Sequence, residues 1–461
     1  MICGGNLPNN QVSAHRAHLL AVSIALGSML AAPLFAQIEL PQASNAASTA
    51  YQSTYERLLK VIDEIPIFDN HSHPGYADDP DVDAMAAPPG MAVSERLRAD
   101  NPELVAASRF LFDYPFNDAT PEHLRWLVER KAQLRKQSQG TVYFDAILDK
   151  LKIEQALANR PVLAPYLSPK RFRWVFFTDS LLFPFDNRRI IAKNLDEATY
   201  IPLQEEKLKR ELKQEALPSL PNTLDDYLAF VTRLLEDNQK QGGIAIKFEI
   251  AYFRPLHFDD PDKQTAQNIY AKYHAGNVPS DREYLDFQDY VFRYLIRDAG
   301  RLHLPVHIHS AVGIGDFFSL SEDNVFQLEN ILRDPRYDNT TFVLLHGGYP
   351  YQDQAIWLAA RKNVYLDSSL IELYLYPADF KNALRHWLLL FPDKVVFGSD
   401  AFPFNDAVGS EESYWMAVRT ARISLAAALA EMVVNHEVSE AKAIGFAHAY
   451  LHDTAAGIYP R

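Results

Sequence analysis

Ile65-Pro-Ile-Phe-Asp-Asn-His-Ser-His-Pro-Gly75 is the stretch that decides the reading of this chain. Its first four residues are a short apolar run that predicts a strand. The run leads straight into His71 and His73, with Pro74 and Gly75 turning the chain away. Side chains two apart on a strand share a face, so both imidazoles can reach one ion. An H-x-H pair is a weak signal in a chain with 15 histidines; its place at a strand end, with partners downstream, gives it weight.

Seven further apolar runs follow: Ile153–Ala158, Phe172–Phe177, Ile244–Ile250, Leu304–Ile308, Thr341–Leu345, Val364–Leu366 and Lys394–Gly398. Amphipathic stretches separate most of them, the clearest being Thr223–Gln239, Arg282–Arg301, Asn324–Arg333, Gln352–Arg361 and Ala378–Phe391. Strands alternating with helices imply parallel strands joined by crossovers. Eight such units predict an α/β fold, a (β/α)8 TIM-type barrel, with a doubly wound sheet as the alternative. Residues 77–140 are polar and rich in helix formers, and read as a long helical insertion after the first strand, a lid or cap. Thr54–Glu64 reads as a short helix, and Ser413–Tyr459 as extra C-terminal helices packed outside the barrel.

In a parallel barrel the C-terminal strand ends meet at one rim, where barrel enzymes place their chemistry. There stand His71 and His73 on the first strand, Lys247 and Glu249 on the fourth, His307 and His309 on the fifth, His346 on the sixth, Asp367 on the seventh and Asp400 after the eighth. His309 lies nearer the rim than His307, which reads as a deeper supporting histidine. Closing the barrel sets the eighth strand beside the first, so Asp400 can both bind a metal and accept a proton from water; the plainer reading is a helix N-cap. His346 reads as a general acid or base, a contact to substrate oxygen, or a ligand to a second metal. Lys247 is either half of a buried ion pair with Glu249 or an amine whose carbamate bridges two metals. Tyr252 and Arg254 could orient a substrate carboxylate, or make ordinary loop contacts.

Three imidazoles and a carboxylate suit a divalent ion, zinc first, as one ion or two. Such a site supports hydrolysis of a small amide, lactone or related bond without a covalent intermediate. The chain has no G-x-S-x-G elbow, and its single cysteine is Cys3, so serine-elbow and thiol nucleophiles are not expected. Gly313-Ile-Gly315 is too little for a phosphate loop.

The set as a whole resembles the amidohydrolase superfamily, in its amidohydrolase-related branch. The resemblance rests on Ile67-Phe-Asp-Asn-His-Ser-His73, Ile246–Arg254, Pro305-Val-His-Ile-His-Ser310, Leu345-His-Gly-Gly-Tyr-Pro-Tyr351, Phe397-Gly-Ser-Asp400 and the tail Ala447–Tyr459. It implies a distorted barrel with a metal held by His71, His73, His309 and Asp400, and His346 as the sixth-strand histidine. The branch includes decarboxylases, so a metal-dependent non-oxidative decarboxylase is the alternative; a catalytically inactive exported binding protein is a third reading.

The 461 residues are 48% hydrophobic, which suits a large domain with a sizeable core, and the net charge of −14 disfavours nucleic acid and anionic membranes as partners. A small-molecule substrate is the expected partner; oligomeric state is not readable. Residues 1–36 read as a signal peptide: a weakly basic start at His15, Arg16 and His18, an apolar run Leu19–Leu30, and small residues before cleavage after Ala36. The protein is therefore expected to be exported, periplasmic or secreted, with no stable membrane insertion. Residues 37–50 read as a flexible leader, and 51–461 as the barrel.

Overall fold

The structure is a computed structural model, and it describes residues 45–82, 93–193, 195–310, 312–313, 319–405 and 407–459. The expected signal segment, residues 1–36, lies outside them. The described residues hold eight parallel strands: β1 (Ile67–Ser72), β2 (Ile153–Asn159), β3 (Phe172–Phe177), β4 (Gly243–Phe248), β5 (Val306–Ile308), β6 (Phe342–Leu344), β7 (Val364–Asp367) and β8 (Val395–Val396). Each pairs with its neighbour in sequence order, β1 to β8. This is the (β/α)8 barrel that the strand–helix alternation predicts. The strands are buried on both faces, which is why they read as nearly continuous apolar runs.

Backbone bonds just past the regular pairing join β8 to β1. Asn70 N–H donates to Phe397 O at 2.9 Å, and His73 N–H donates to Ala401 O at 2.8 Å. Between them the N–H groups of both Ser399 (3.1 Å) and Asp400 (2.8 Å) donate to the single carbonyl of His71. Two residues thus oppose one, a bulge-like arrangement, and Asp400 takes a left-handed φ of 51° there. The same contacts that link the two strands therefore bring the Asp400 backbone to His71.

Two apolar clusters fill the molecule. The large one packs the outer strand faces against the helices. The small one gathers Phe68, Leu157, Val175, Ala245 and Val396 from five different strands, so it lines the inside of the barrel. Ala455 and Tyr459 complete it. This corrects the expectation that the whole tail packs outside. Helix Ser410–Val434 does lie against the outer helices Asn45–Ile62 and Pro377–Leu390, but the helix Thr454–Ile458 lies against β1 and β8. Tyr459 enters the barrel and stacks on Phe68, with ring centroids 5.8 Å apart and planes 3° from parallel. Small inward residues such as Ala245 leave room for that ring.

No strand occurs among the described residues of 77–140. Helices Pro102–Phe112 and Pro121–Gln137 dominate the segment, each opened by a side-chain cap, Asn101 or Thr120, with proline at the first helical position. Lys131 fastens the second to the helix after β8, with Nζ 2.9 Å from Glu412 and 3.3 Å from Glu411. The first helix begins at Asn45, earlier than the expected Thr54. Asn324–Arg333 and Gln352–Arg361, read as whole helices, are each broken into short 3-10 and α turns, since runs this short gain little over the cost of nucleation. Helix Leu195–Gln214, with Pro202 inside it, was not anticipated; its Lys207 donates to Phe177 O at 2.8 Å, at the C-terminal end of β3. No helix of the described residues is long and apolar enough to cross a membrane.

Candidate metal centre

His71 and His73 sit at the end of β1 with their Nε2 atoms 3.3 Å apart. One oxygen of Asp400 is 3.0 Å from His71 Nε2 and 3.4 Å from His73 Nε2. The edge of a tetrahedron with bond lengths of about 2.0–2.2 Å is about 3.3–3.6 Å. The His71–His73 and His73–Asp400 edges fall in that range, and the His71–Asp400 edge is slightly short. All three side chains are nearly or fully buried.

His346 joins them. Its backbone has φ 63°, and Gly347 and Gly348 follow at 55° and 65°, so three left-handed residues in succession turn the chain sharply after β6. Only glycine adopts this region without strain. The turn directs the imidazole inward, and Ser369 anchors it: Ser369 O lies 3.2 Å and Ser369 Oγ 3.0 Å from His346 Nδ1. With Nδ1–H donated to that carbonyl, His346 Nε2 presents a lone pair. Ligand atoms of His71, His346 and Asp400 all lie within 4.8 Å of one another. His309 stands beyond His346, its Nδ1 2.9 Å from His346 Nε2. Its Nε2 lies 3.0 Å from Val312 O, which makes Nε2 the protonated nitrogen and turns the Nδ1 lone pair toward His346. The structure thus brings these residues together: His71, His73 and Asp400 are within 3.0–3.4 Å of one another, His346 is within 4.8 Å of His71 and Asp400, and His309 lies against His346.

Electrostatics favour the ligand forms. Burial holds the His71 and His309 imidazoles well below their ordinary range and brings His346 down to about 4. They are therefore neutral near pH 7. Burial pushes the Asp400 carboxyl up, but His346, His71 and His73 outweigh it and hold it well below the carboxylate range. Ring nitrogens and a carboxylate oxygen of these side chains approach one another in pairs across 2.9–3.4 Å, an arrangement that a shared cation satisfies. The donor set fits a divalent ion on these grounds.

Lys247 is fully buried, with Nζ 3.3 Å from His71 Nε2 and 3.6 Å from Glu249 Oε1. Tyr252 lies against His309, with ring centroids 4.4 Å apart, and Phe177 against His73 at 6.2 Å. Arg254 is committed elsewhere. It pairs with Asp289 at 2.7 Å, donates to His257 O at 2.6 Å and to Pro255 O at 3.1 Å, and lies over the Phe258 ring. Those contacts correspond to the loop-holding alternative rather than to a substrate clamp.

Two supporting residues went unread in the sequence. Asp69 accepts from Ser399 N–H at 2.8 Å and Ser399 Oγ–H at 2.6 Å, binding β1 to the residue before Asp400. Asn70 donates to Asp367 Oδ2 at 2.7 Å. Their adjacency to the H-x-H pair was the only available signal.

The amidohydrolase family model matches residues 267–461. The protein fluG of Emericella nidulans is 27% identical over 157 residues, 34% of this chain and 17% of that protein; this chain thus matches less than a fifth of its length. Among solved structures, a candidate metal-dependent hydrolase from Lactobacillus casei is 15% identical at a TM-score of 0.55, covering 87% of this chain and 96% of its own. Glucuronate isomerase from Caulobacter crescentus is 11% identical at 0.56, covering 89% and 94%. Uronate isomerase from Thermotoga maritima is 11% identical at 0.55, covering 88% and 97%. At these identities the structures speak for the fold alone. The family match covers β5 to β8, with His307, His309, His346 and Asp400, and over that part the chain is similar to the amidohydrolase family.

Proposed function

We propose that this protein is a metal-dependent hydrolase acting on a small amide, lactone or related bond. One observation carries the reading: buried His71, His73 and Asp400 meet at 3.0–3.4 Å edges on the rim of the barrel, with His346 within 4.8 Å of His71 and Asp400. His71, His73 and Asp400 would hold a divalent ion together with His346 or His309. Such an ion supplies Lewis acidity, polarising a carbonyl oxygen and making water acidic enough to attack near a pH of roughly 7.

The chain's own residues supply the rest. Asp400 is unprotonated at neutral pH, so it accepts the proton of the attacking water and passes it to the leaving group. The His71, His309 and His346 imidazoles, already neutral, need not lose a proton to act as ligands. Ser369 fixes His346 so that Nε2 faces the reaction space. Phe177 and Tyr252 flank the site with aromatic surface, which excludes water and strengthens the electrostatics there. Zinc is the first candidate by ligand type.

The test is turnover of a panel of small amides, lactones and N-acyl compounds by metal-loaded protein, with Asp400→Asn as control. Hydrolysis of at least one class, abolished by the substitution, supports the proposal. Release of carbon dioxide from aromatic or enoic acids, with no hydrolysis, would replace it with a decarboxylase.

A further inference from the structure

We propose that Tyr459, buried in the apolar cluster inside the barrel, is a positioning residue for the metal centre. The inference rests on the metal reading above. Its physical basis is a hydrogen-bond network whose directions are fixed. Asn70 Nδ2 donates to Asp367 Oδ2 at 2.7 Å, so the amide oxygen faces the other way. That oxygen accepts the Tyr459 hydroxyl proton. A tyrosine hydroxyl has one proton, so the contact of 2.6 Å between its oxygen and His307 Nε2 requires His307 to donate. His307 is therefore the Nε2–H tautomer, and its Nδ1 carries a lone pair.

His307 Nδ1 is buried without a hydrogen-bond partner, and so is His71 Nδ1. The two rings lie 6.3 Å apart between centroids. When His71 binds a cation through Nε2, its proton resides on Nδ1 and needs an acceptor, as metal-bound histidines generally do. His307 Nδ1 is the matching acceptor, reached directly after a small ring movement or through one water. A second branch leaves the same hydroxyl. Asp367, held by Asn70, accepts from Ser369 N–H at 2.9 Å through its other oxygen, and Ser369 anchors His346 Nδ1. Tyr459 is the junction of two chains of hydrogen bonds, one ending at His71 and one at His346. Its ring, stacked on Phe68, keeps the hydroxyl at that junction.

The experiment measures cobalt(II) affinity by chelator competition, and the visible cobalt spectrum, in the full chain. Tyr459→Phe keeps the stacked ring and loses only the hydroxyl. It is expected to weaken cobalt binding by about tenfold or more, to shift the ligand-field bands, and to free the His307 tautomer as read by nitrogen-15 NMR of labelled histidine. A second pair guards against a folding defect. His307→Asn retains an acceptor near the Nδ1 position and should bind within about threefold of wild type, whereas His307→Gln retains only the Nε2-like donor and should lose affinity. Unchanged affinity and spectrum in a folded Tyr459→Phe variant overturn the proposal, as does equal binding by the two His307 variants. Wild-type protein that takes up no cobalt removes the metal centre itself, and this inference with it.

Discussion

Replacing Gly347 by alanine tests the geometry that presents His346. The residue has φ 55°, a region that costs an L-residue with a Cβ about 1–2 kcal/mol. An added Cβ would lie 2.7 Å from Ile371 Cδ1 and 2.8 Å from Trp387 Cη2. Both neighbours are fully buried, so neither can move into solvent, and overpacking of this kind costs about 1–3 kcal/mol. The expected destabilisation is about 2–5 kcal/mol together, with weaker metal binding because the turn carrying His346 must shift. Urea unfolding of the metal-free protein, followed by tryptophan fluorescence, reads the first effect. Gly445→Ala is the reference: it lies inside helix Glu440–His448 with nothing within 4 Å of the new Cβ, and should be neutral or stabilising by about 0.5–1 kcal/mol. A Gly347→Ala protein as stable as wild type, with Gly445→Ala behaving as stated, would refute the argument.

In metal-free protein, burial brings His307 down to about 3 from an ordinary 6.5. Its neutral form is thus favoured in the fold, a contribution complete above about pH 6.5 and lost as pH falls toward the folded value. Glutamine does not titrate, so the stability penalty of His307→Gln should shrink by about 2 kcal/mol between pH 7 and 5; a pH-independent penalty in urea titrations contradicts this. Lys131→Met leaves Glu411 and Glu412 buried without their cation and should cost about 3–5 kcal/mol. Acid should relieve part of that loss by protonating the carboxylates, so a larger penalty at pH 5 than at pH 8 would count against the ion-pair account. Arg254→Met should lower stability through loss of the Asp289 pair while leaving KM for any hydrolysed substrate within about twofold, because its donors face the loop and Asp289; a large KM effect would return it to the substrate site.

The strands were legible because parallel barrel strands, buried on both sides, leave apolar runs that need no periodicity to be seen. The rim was legible because polar residues such as His71, His309 and Asp400 end those runs. Other features depend on contacts that sequence does not display. The shared acceptor at His71 O fixes where Asp400 lands, and it exists only once β8 meets β1. His309 Nε2 faces Val312 O and its Nδ1 faces His346, contacts that set its ring orientation and that the order of residues does not display. Tyr459 ends a helical, alanine-rich tail that reads as external packing; its place in the bore follows from the size of inward residues on five strands. Helix Leu195–Gln214 was obscured by Pro202 in its first turns and by its many charges.

The central claim is convergence of His71, His73 and Asp400 on one cation, and metal content measures it most directly. Purified wild-type protein, loaded with zinc and freed of excess, should retain close to one ion or more per chain by elemental analysis. The folded His71→Ala/His73→Ala and Asp400→Asn variants should retain almost none. Wild-type metal content in those variants would contradict the account.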